Sequence, residues 1–288
     1  MQLRAMAKIN LSLDVIGKRE DGYHEVRMIM QMVDMYDTVR LYPTKARGIR
    51  LTTNLPYIPK DENNLAVKAA KMLMDEFDVK RGLAIRLDKF IPVAAGLAGG
   101  SSDAAAAMIG TNRLFHLGLT EKQLMERAAK IGADVPYCIM KGTALSEGIG
   151  EILTPLPPMP ACYILLCKPN ISVSTREVYG NLHLDETTAH PDVDGMIEAL
   201  KNGDLAGITD SARMSNVLEA VTASHYSVIG EIEKEMMSFG ALRSVMSGSG
   251  PTVFGIYDDK EQAKKARAFL KENRPSARTF LTWPIQEK

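Results

Sequence analysis

Residues 83–107 constrain the fold more tightly than any other stretch of the chain. Leu83-Ala84-Ile85-Arg86-Leu87-Asp88 alternates apolar and polar side chains, the period of a half-buried strand. Pro92-Val93-Ala94-Ala95-Gly96-Leu97-Ala98-Gly99-Gly100-Ser101-Ser102 follows, and Ala104 to Ala107 then repeats the strongest helix former. Glycines allow backbone conformations closed to other residues and let a ligand approach the main chain. A glycine loop entering a helix start presents free N–H groups and the positive end of the helix dipole, which together bind an anion. Taken alone, the glycines read as a tight turn, with Ser101, Ser102 or Asp103 capping the helix. The order strand, glycines, serines, alanine helix favours phosphate.

Two familiar phosphate loops are excluded. No Lys-Ser or Lys-Thr pair follows the last glycine. The glycine spacing is not that of a dinucleotide loop, and no clear βαβ unit surrounds it.

Elsewhere the pattern mixes strands and helices without strict alternation, which predicts an α+β fold. Strands are expected at Asn10–Ile16, Thr38–Tyr42, Ile49–Thr53, Tyr163–Lys168, Ser244–Ser247, Val253–Tyr257 and Arg278–Trp283. Helices are expected near 64–78, 102–114, 120–131, 191–201, 214–222, 225–239 and 260–272. Thr120 and Gln123 form a capping-box pattern, and Gly132 is placed to stop that helix. Asp21-Gly22 signals a hairpin turn. Met28, Met30, Met32 and Met35 fall near strand period and read as core. Pro155, Pro157, Pro158 and Pro160 argue that neither helix nor strand runs through their segment. That segment divides the chain into 1–156 and 157–288.

The chain has 288 residues, 45% of them hydrophobic, and a formal net charge of zero. It can bury a full core, and the neutral balance argues against a nucleic-acid or membrane-surface partner. Three cysteines with no zinc spacing read as reduced core thiols. The first residues lack the apolar region of a signal peptide, and no apolar run approaches the roughly 20 residues of a membrane span. A cytoplasmic protein acting as a monomer or weak homodimer is expected.

Three segments in chain order resemble the GHMP kinases: Ala7-Lys8-Ile9-Asn10-Leu11, Pro92 to Ser102, and Ser247-Gly248-Ser249-Gly250-Pro251-Thr252. The resemblance spans nearly the whole chain. It implies an N-terminal ATP-binding domain, a C-terminal ferredoxin-like domain, and ATP and substrate in the cleft between them. Pro92 to Ser102 would hold the ATP phosphates, with Mg²⁺ neutralising their charge through ligands the sequence does not name. Asp21-Gly22-Tyr23-His24 and Gly132-Ala133-Asp134-Val135-Pro136 narrow the resemblance to the branch acting on a cytidine-diphosphate-linked methylerythritol. In that branch Asp134 would accept the proton of the attacking hydroxyl, with Lys8 beside it. Tyr23 and Tyr179 would stack on cytosine, and His24 would read its polar edge. Asn10 and Thr175 are further substrate candidates, and Asn64 and Lys89 are placed near the adenine. As isolated residues, Lys8 reads as a solvated strand-end charge and Asp134 as a turn residue. The alternatives are another GHMP small-molecule kinase, or a non-catalytic nucleotide-binding protein on the same fold. Two positions depart from the family pattern. Met6 stands where proline is usual, and Asp103 stands where some members have asparagine, setting a carboxylate beside the phosphate site.

Overall fold

The computed structural model describes residues 1–285; the last three residues of the 157–288 segment lie outside the described residues. Two long strands open the chain, β1 (Gln2–Lys18) and β2 (His24–Thr44). The expected turn joins them: Gly22 N–H donates to the Arg19 carbonyl at 3.1 Å. The methionine run of β2 is core, as expected, with Met28, Met30, Met32 and Met35 all buried.

The chain divides into two units, and neither is continuous in sequence. Residues 1–7, 35–93 and 98–141 form the first; residues 8–34, 94–97 and 142–288 form the second. In the first unit, β3 (Ile49–Thr53) runs parallel to β4 (Gly82–Asp88), and β4 lies antiparallel to the C-terminal half of β2. Helix α1 (Leu65–Glu76) connects β3 to β4, and α2 (Gly99–Leu114) follows β4. Helix α1 buries one face here, and α2 is buried on all sides from Ser102 to Met108, in a core that includes Val39, Leu41, Leu83, Ile85, Ala70, Met74 and Ala107. Asn64 caps α1, its side chain accepting from Ala66 N–H at 3.0 Å. Two short helices close the unit, α3 (Glu121–Ala128) and α4 (Asp134–Met140). The Thr120–Gln123 capping box is formed at α3.

In the second unit, Met28 to Gln31 of β2 pairs antiparallel with β5 (Thr143–Glu147), and β5 with β6 (Ile152–Leu156). β6 overturns the expectation that no strand enters the proline segment, because Pro155 sits opposite Ala144 within it. An edge strand tolerates this, since its outer side needs no ladder donor. A separate antiparallel sheet holds β7 (Tyr163–Lys168), β8 (Arg243–Met246), β9 (Val253–Tyr257) and β10 (Arg278–Thr282) in the order β10-β7-β9-β8. That is the ferredoxin-like order. Helices α9 (Val228–Ser238) and α10 (Lys260–Asn273) pack on it through Ile229, Ile232, Met236, Ala263, Ala266 and Leu270. Between β7 and α9 lie α5 (Thr175–Gly180), α6 (Val193–Asn202), α7 (Leu205–Ile208) and α8 (Glu219–His225). The helix expected at 214–222 starts only at Glu219. Asn216 is drawn out of it, donating to the carbonyls of Met246 and Gly248 at 2.8 and 2.7 Å.

Glu219 and Glu233 lie side by side in the second unit, with Glu219 accepting from Met246 N–H at 2.7 Å. Burial, and then the Glu219 carboxylate, push Glu233 up to about 9, and Arg243 offsets this only in part. The folded chain therefore holds a proton that the unfolded chain, with a glutamate near ~4.3, gives up. That contribution is complete below the unfolded value and is lost as pH rises through about 9. Thermal melts from pH ~5 to ~9 should show a falling Tm for the natural protein and a flatter profile for Glu233→Gln. Parallel profiles would refute the assignment.

Candidate active site

Helix α2 begins three residues earlier than the serines predict. Its N-cap is Ala98, in the left-handed region at φ 54°, and no side chain caps it. Ser102 does not cap: its hydroxyl donates to the Met6 carbonyl and lies 3.2 Å from Cys138 Sγ. Asp103 does not cap either; its Oδ2 accepts from the Lys89 ammonium at 2.7 Å. The N–H groups of the first turn are therefore left to an outside acceptor, backed by the positive end of a 16-residue helix. This is the property an anion site needs.

The preceding loop is set by a close approach in the second unit. Gly96 has φ +73°, and a Cβ there would lie 2.2 Å from the Ser247 carbonyl oxygen. The Ser247 hydroxyl donates to the Gly96 carbonyl at 3.0 Å and accepts from Asn10 N–H at 3.3 Å. So residues 7–11 and 247–252, the first and third of the family-like segments, meet Ala94–Leu97 through one buried hydroxyl. Lys8 belongs to the same group. Its N–H donates to the Leu97 carbonyl at 3.2 Å, and its Nζ to Asn10 Oδ1 at 2.6 Å. Lys8 is buried within β1, not a solvated strand-end charge.

The chain passes from one unit to the other inside the loop: Pro92, Val93 and Ala98 to Ser102 belong to the first, Ala94 to Leu97 to the second. Asp134 lies in the first unit and opens α4, not a turn, where a carboxylate suits the helix dipole. The Ser102–Cys138 contact ties α4 to α2.

Of the remaining candidates, His24 and Tyr179 come together in the second unit, ring centroids 5.1 Å apart and planes tilted by 37°. Burial first, and then Lys18, lower the His24 pKa, so the ring stays neutral at physiological pH. Tyr23 is exposed beside the turn. Thr175 Oγ1 lies 2.8 Å from Ser249 Oγ. Asn64 and Lys89, expected near the adenine, are engaged within the chain, Asn64 as a helix cap and Lys89 between two carboxylates. Asn216 and Thr222, which hold the 247–252 turn, were not legible as site residues, because nothing in sequence marks a side chain that serves a turn some thirty positions away. Cys162 and Cys167 are buried, and burial pushes each thiol up to about 12, which leaves them unreactive.

The family model described as the GHMP kinases N terminal domain matches residues 64–142, and that of the GHMP kinases C terminal matches residues 196–276. A 4-diphosphocytidyl-2-C-methyl-D-erythritol kinase of Lachnoclostridium phytofermentans is 52% identical over 288 residues, covering 100% of this chain and 98% of its own. One of the same name from Clostridium perfringens is 48% identical over 285 residues, covering 99% and 98%. A crystal structure of 4-(cytidine 5'-diphospho)-2C-methyl-D-erythritol kinase superposes with a TM-score of 0.84 at 30% identity, covering 99% of each chain. Full-length identity of this degree, on a fold with an uncapped helix after the glycine loop, means that the chain belongs to the GHMP kinase family, in its group of 4-diphosphocytidyl-2-C-methyl-D-erythritol kinases.

Proposed function

We propose that this protein transfers the γ-phosphoryl group of ATP to the 2-hydroxyl of 4-diphosphocytidyl-2-C-methyl-D-erythritol, a step of the non-mevalonate route to isoprenoid precursors. The observation that carries the ATP half is the glycine loop running into the uncapped first turn of α2. The acceptor half rests on the full-length similarity to kinases of that name.

In this reading Pro92 to Ser102 cradles the phosphates through backbone donors. The substrate hydroxyl oxygen attacks the γ-phosphorus, the bond to the β–γ bridging oxygen breaks, and the hydroxyl proton passes to Asp134. Lys8, fixed by Asn10 and by the Leu97 carbonyl, sets a positive charge against the negative charge of the transferring group. Such a transfer depends mainly on positioning and charge stabilisation, so Asp134 acts as much by orienting the hydroxyl as by its basicity. Mg²⁺ neutralises the β- and γ-phosphates when bound. Among the described residues no three His, Cys, Asp or Glu side chains converge on one point. Tyr23 and Tyr179 offer ring faces to cytosine. A neutral His24 offers one donor and one acceptor to the base edge. Among the described residues no helix is long and apolar enough to cross a membrane, in keeping with a cytoplasmic enzyme on a small-molecule substrate.

Incubation with ATP, Mg²⁺ and the cytidine substrate should release ADP; turnover on homoserine or mevalonate instead would reassign the substrate. Asp134→Asn should lower kcat on the order of 10²–10⁴-fold with ATP binding retained in a calorimetric titration. An unchanged kcat would remove its role. Tyr179→Ala should raise the KM for the cytidine substrate roughly tenfold, within the ~1–3 kcal/mol of a base–ring stack, and leave the KM for ATP in place. Equal effects on both would count against a base-stacking role. Gly96→Ala forces a Cβ against the Ser247 carbonyl, so ATP affinity should fall by at least about tenfold, of the order expected for ~1–3 kcal/mol of overpacking.

A further inference from the structure

Asp37, Lys89 and Asp103 form a buried cluster in the first unit, each side chain at most 5% exposed. The Lys89 ammonium pairs with Asp37 Oδ2 and lies 2.7 Å from Asp103 Oδ2. Its backbone is pinned as well. Asn54 Oδ1 accepts from Lys89 N–H at 2.8 Å, and Asn54 Nδ2 donates to the Lys89 carbonyl at 2.9 Å. Asp37 Oδ1 accepts from the N–H groups of Phe90 and Ile91, the latter at 2.8 Å. The cluster thus grips the chain just before Pro92 through Asp37, and the helix just after Ser102 through Asp103. It also lies against the helix start: a Cβ on Gly99 would stand 3.3 Å from Lys89 Nζ.

Two carboxylates and one ammonium leave one surplus negative charge, shut away from water and close to where phosphate is proposed to bind. A buried uncompensated charge is costly, and such a group takes up a proton instead. The hydrogen bonds decide which acid carries it. Asp37 has two backbone donors besides the ammonium. Asp103 has Lys89 on one oxygen, and its buried Oδ1 has no partner in the described structure.

We propose that Lys89, Asp37 and Asp103 are positioning residues that fix both ends of the phosphate loop, and that Asp103 serves as the neutral carboxylic acid of the three, so that the cluster carries no net charge toward ATP. The proposal rests on the ATP reading above. Burial raises Asp103 well above the ordinary carboxylate range; Lys89 opposes the shift and Asp37 adds to it. Among the described residues, Lys89 and Asp37 are the charged groups that act on Asp103. As pH rises through its raised pKa, Asp103 ionises, the cluster becomes negative, and ATP should bind less well.

The test pairs a spectroscopic measurement with a kinetic one. In the ATP-free protein, the infrared difference spectrum between natural chain and Asp103→Asn should contain the band of a buried protonated carboxyl group. In steady-state assays, the KM for ATP should rise with pH above the ordinary carboxylate range in the natural protein, and that rise should be absent in Asp103→Asn. Lys89→Met should raise the KM for ATP more than it lowers kcat, the split expected of a loop-positioning group. A difference spectrum without the band, or pH profiles of KM that coincide, overturns the proposal. Absence of ATP turnover in the natural protein would refute the kinase reading instead, and the infrared result would still decide the protonation of Asp103.

Discussion

A helix that begins without a side-chain cap has donors the chain itself does not satisfy, and much of the first unit is arranged to keep them so. Ser102 and Asp103 have the chemistry to cap α2, and both are turned away. Ser102 is spent on the Met6 carbonyl and Cys138, Asp103 on Lys89. Each diversion has a second effect. The serine ties α2 to the strand β1 and to α4, the helix that carries Asp134 at its first position. The aspartate ties α2 to the chain that enters the loop. Removing caps would by itself cost stability, on the order of ~1 kcal/mol for each lost. Here the same groups stabilise tertiary contacts, and the helix start keeps its affinity for an anion.

The loop could be placed from sequence because its signal is local. Strand period, glycines and an alanine run occur within twenty-five residues, and β4 and α2 follow the predicted order. The strands Ile49–Thr53, Tyr163–Lys168 and Val253–Tyr257 were legible for the same reason, with apolar residues at strand period between turn residues. The failures share a physical cause too. Pro155 forbids a central strand, but sequence does not tell that β6 is an edge. Met214 to Leu218 has helical periodicity, but Asn216 is claimed by carbonyls in another part of the chain. Ser102 and Asp103 were read as caps because capping is a local property, whereas their partners Met6 and Lys89 are brought in by the fold. Local rules fail where a polar side chain finds a better partner far along the sequence.

That partner choice also separates the two glycine segments. Their compositions are alike, yet they do opposite things. In the 247–252 turn the carbonyls are answered from within the chain: Asn216 takes those of Met246 and Gly248, Thr222 that of Ser249, and the Ser249 hydroxyl pairs with Thr175, while the buried Thr252 hydroxyl has no partner in the described structure. Ser247 turns outward from this anchored turn to fix Gly96 and Asn10. The turn thus serves as a template, held by hydrogen bonds to Asn216, Thr222 and Thr175. The 92–102 loop leads instead to a helix end where no side chain takes the free donors, and its glycines serve close approach and a left-handed turn. Glycine content alone says only that the backbone does something unusual. Whether a segment binds a ligand or braces one that does depends on whether its backbone groups are already satisfied, which requires the tertiary partners to be known.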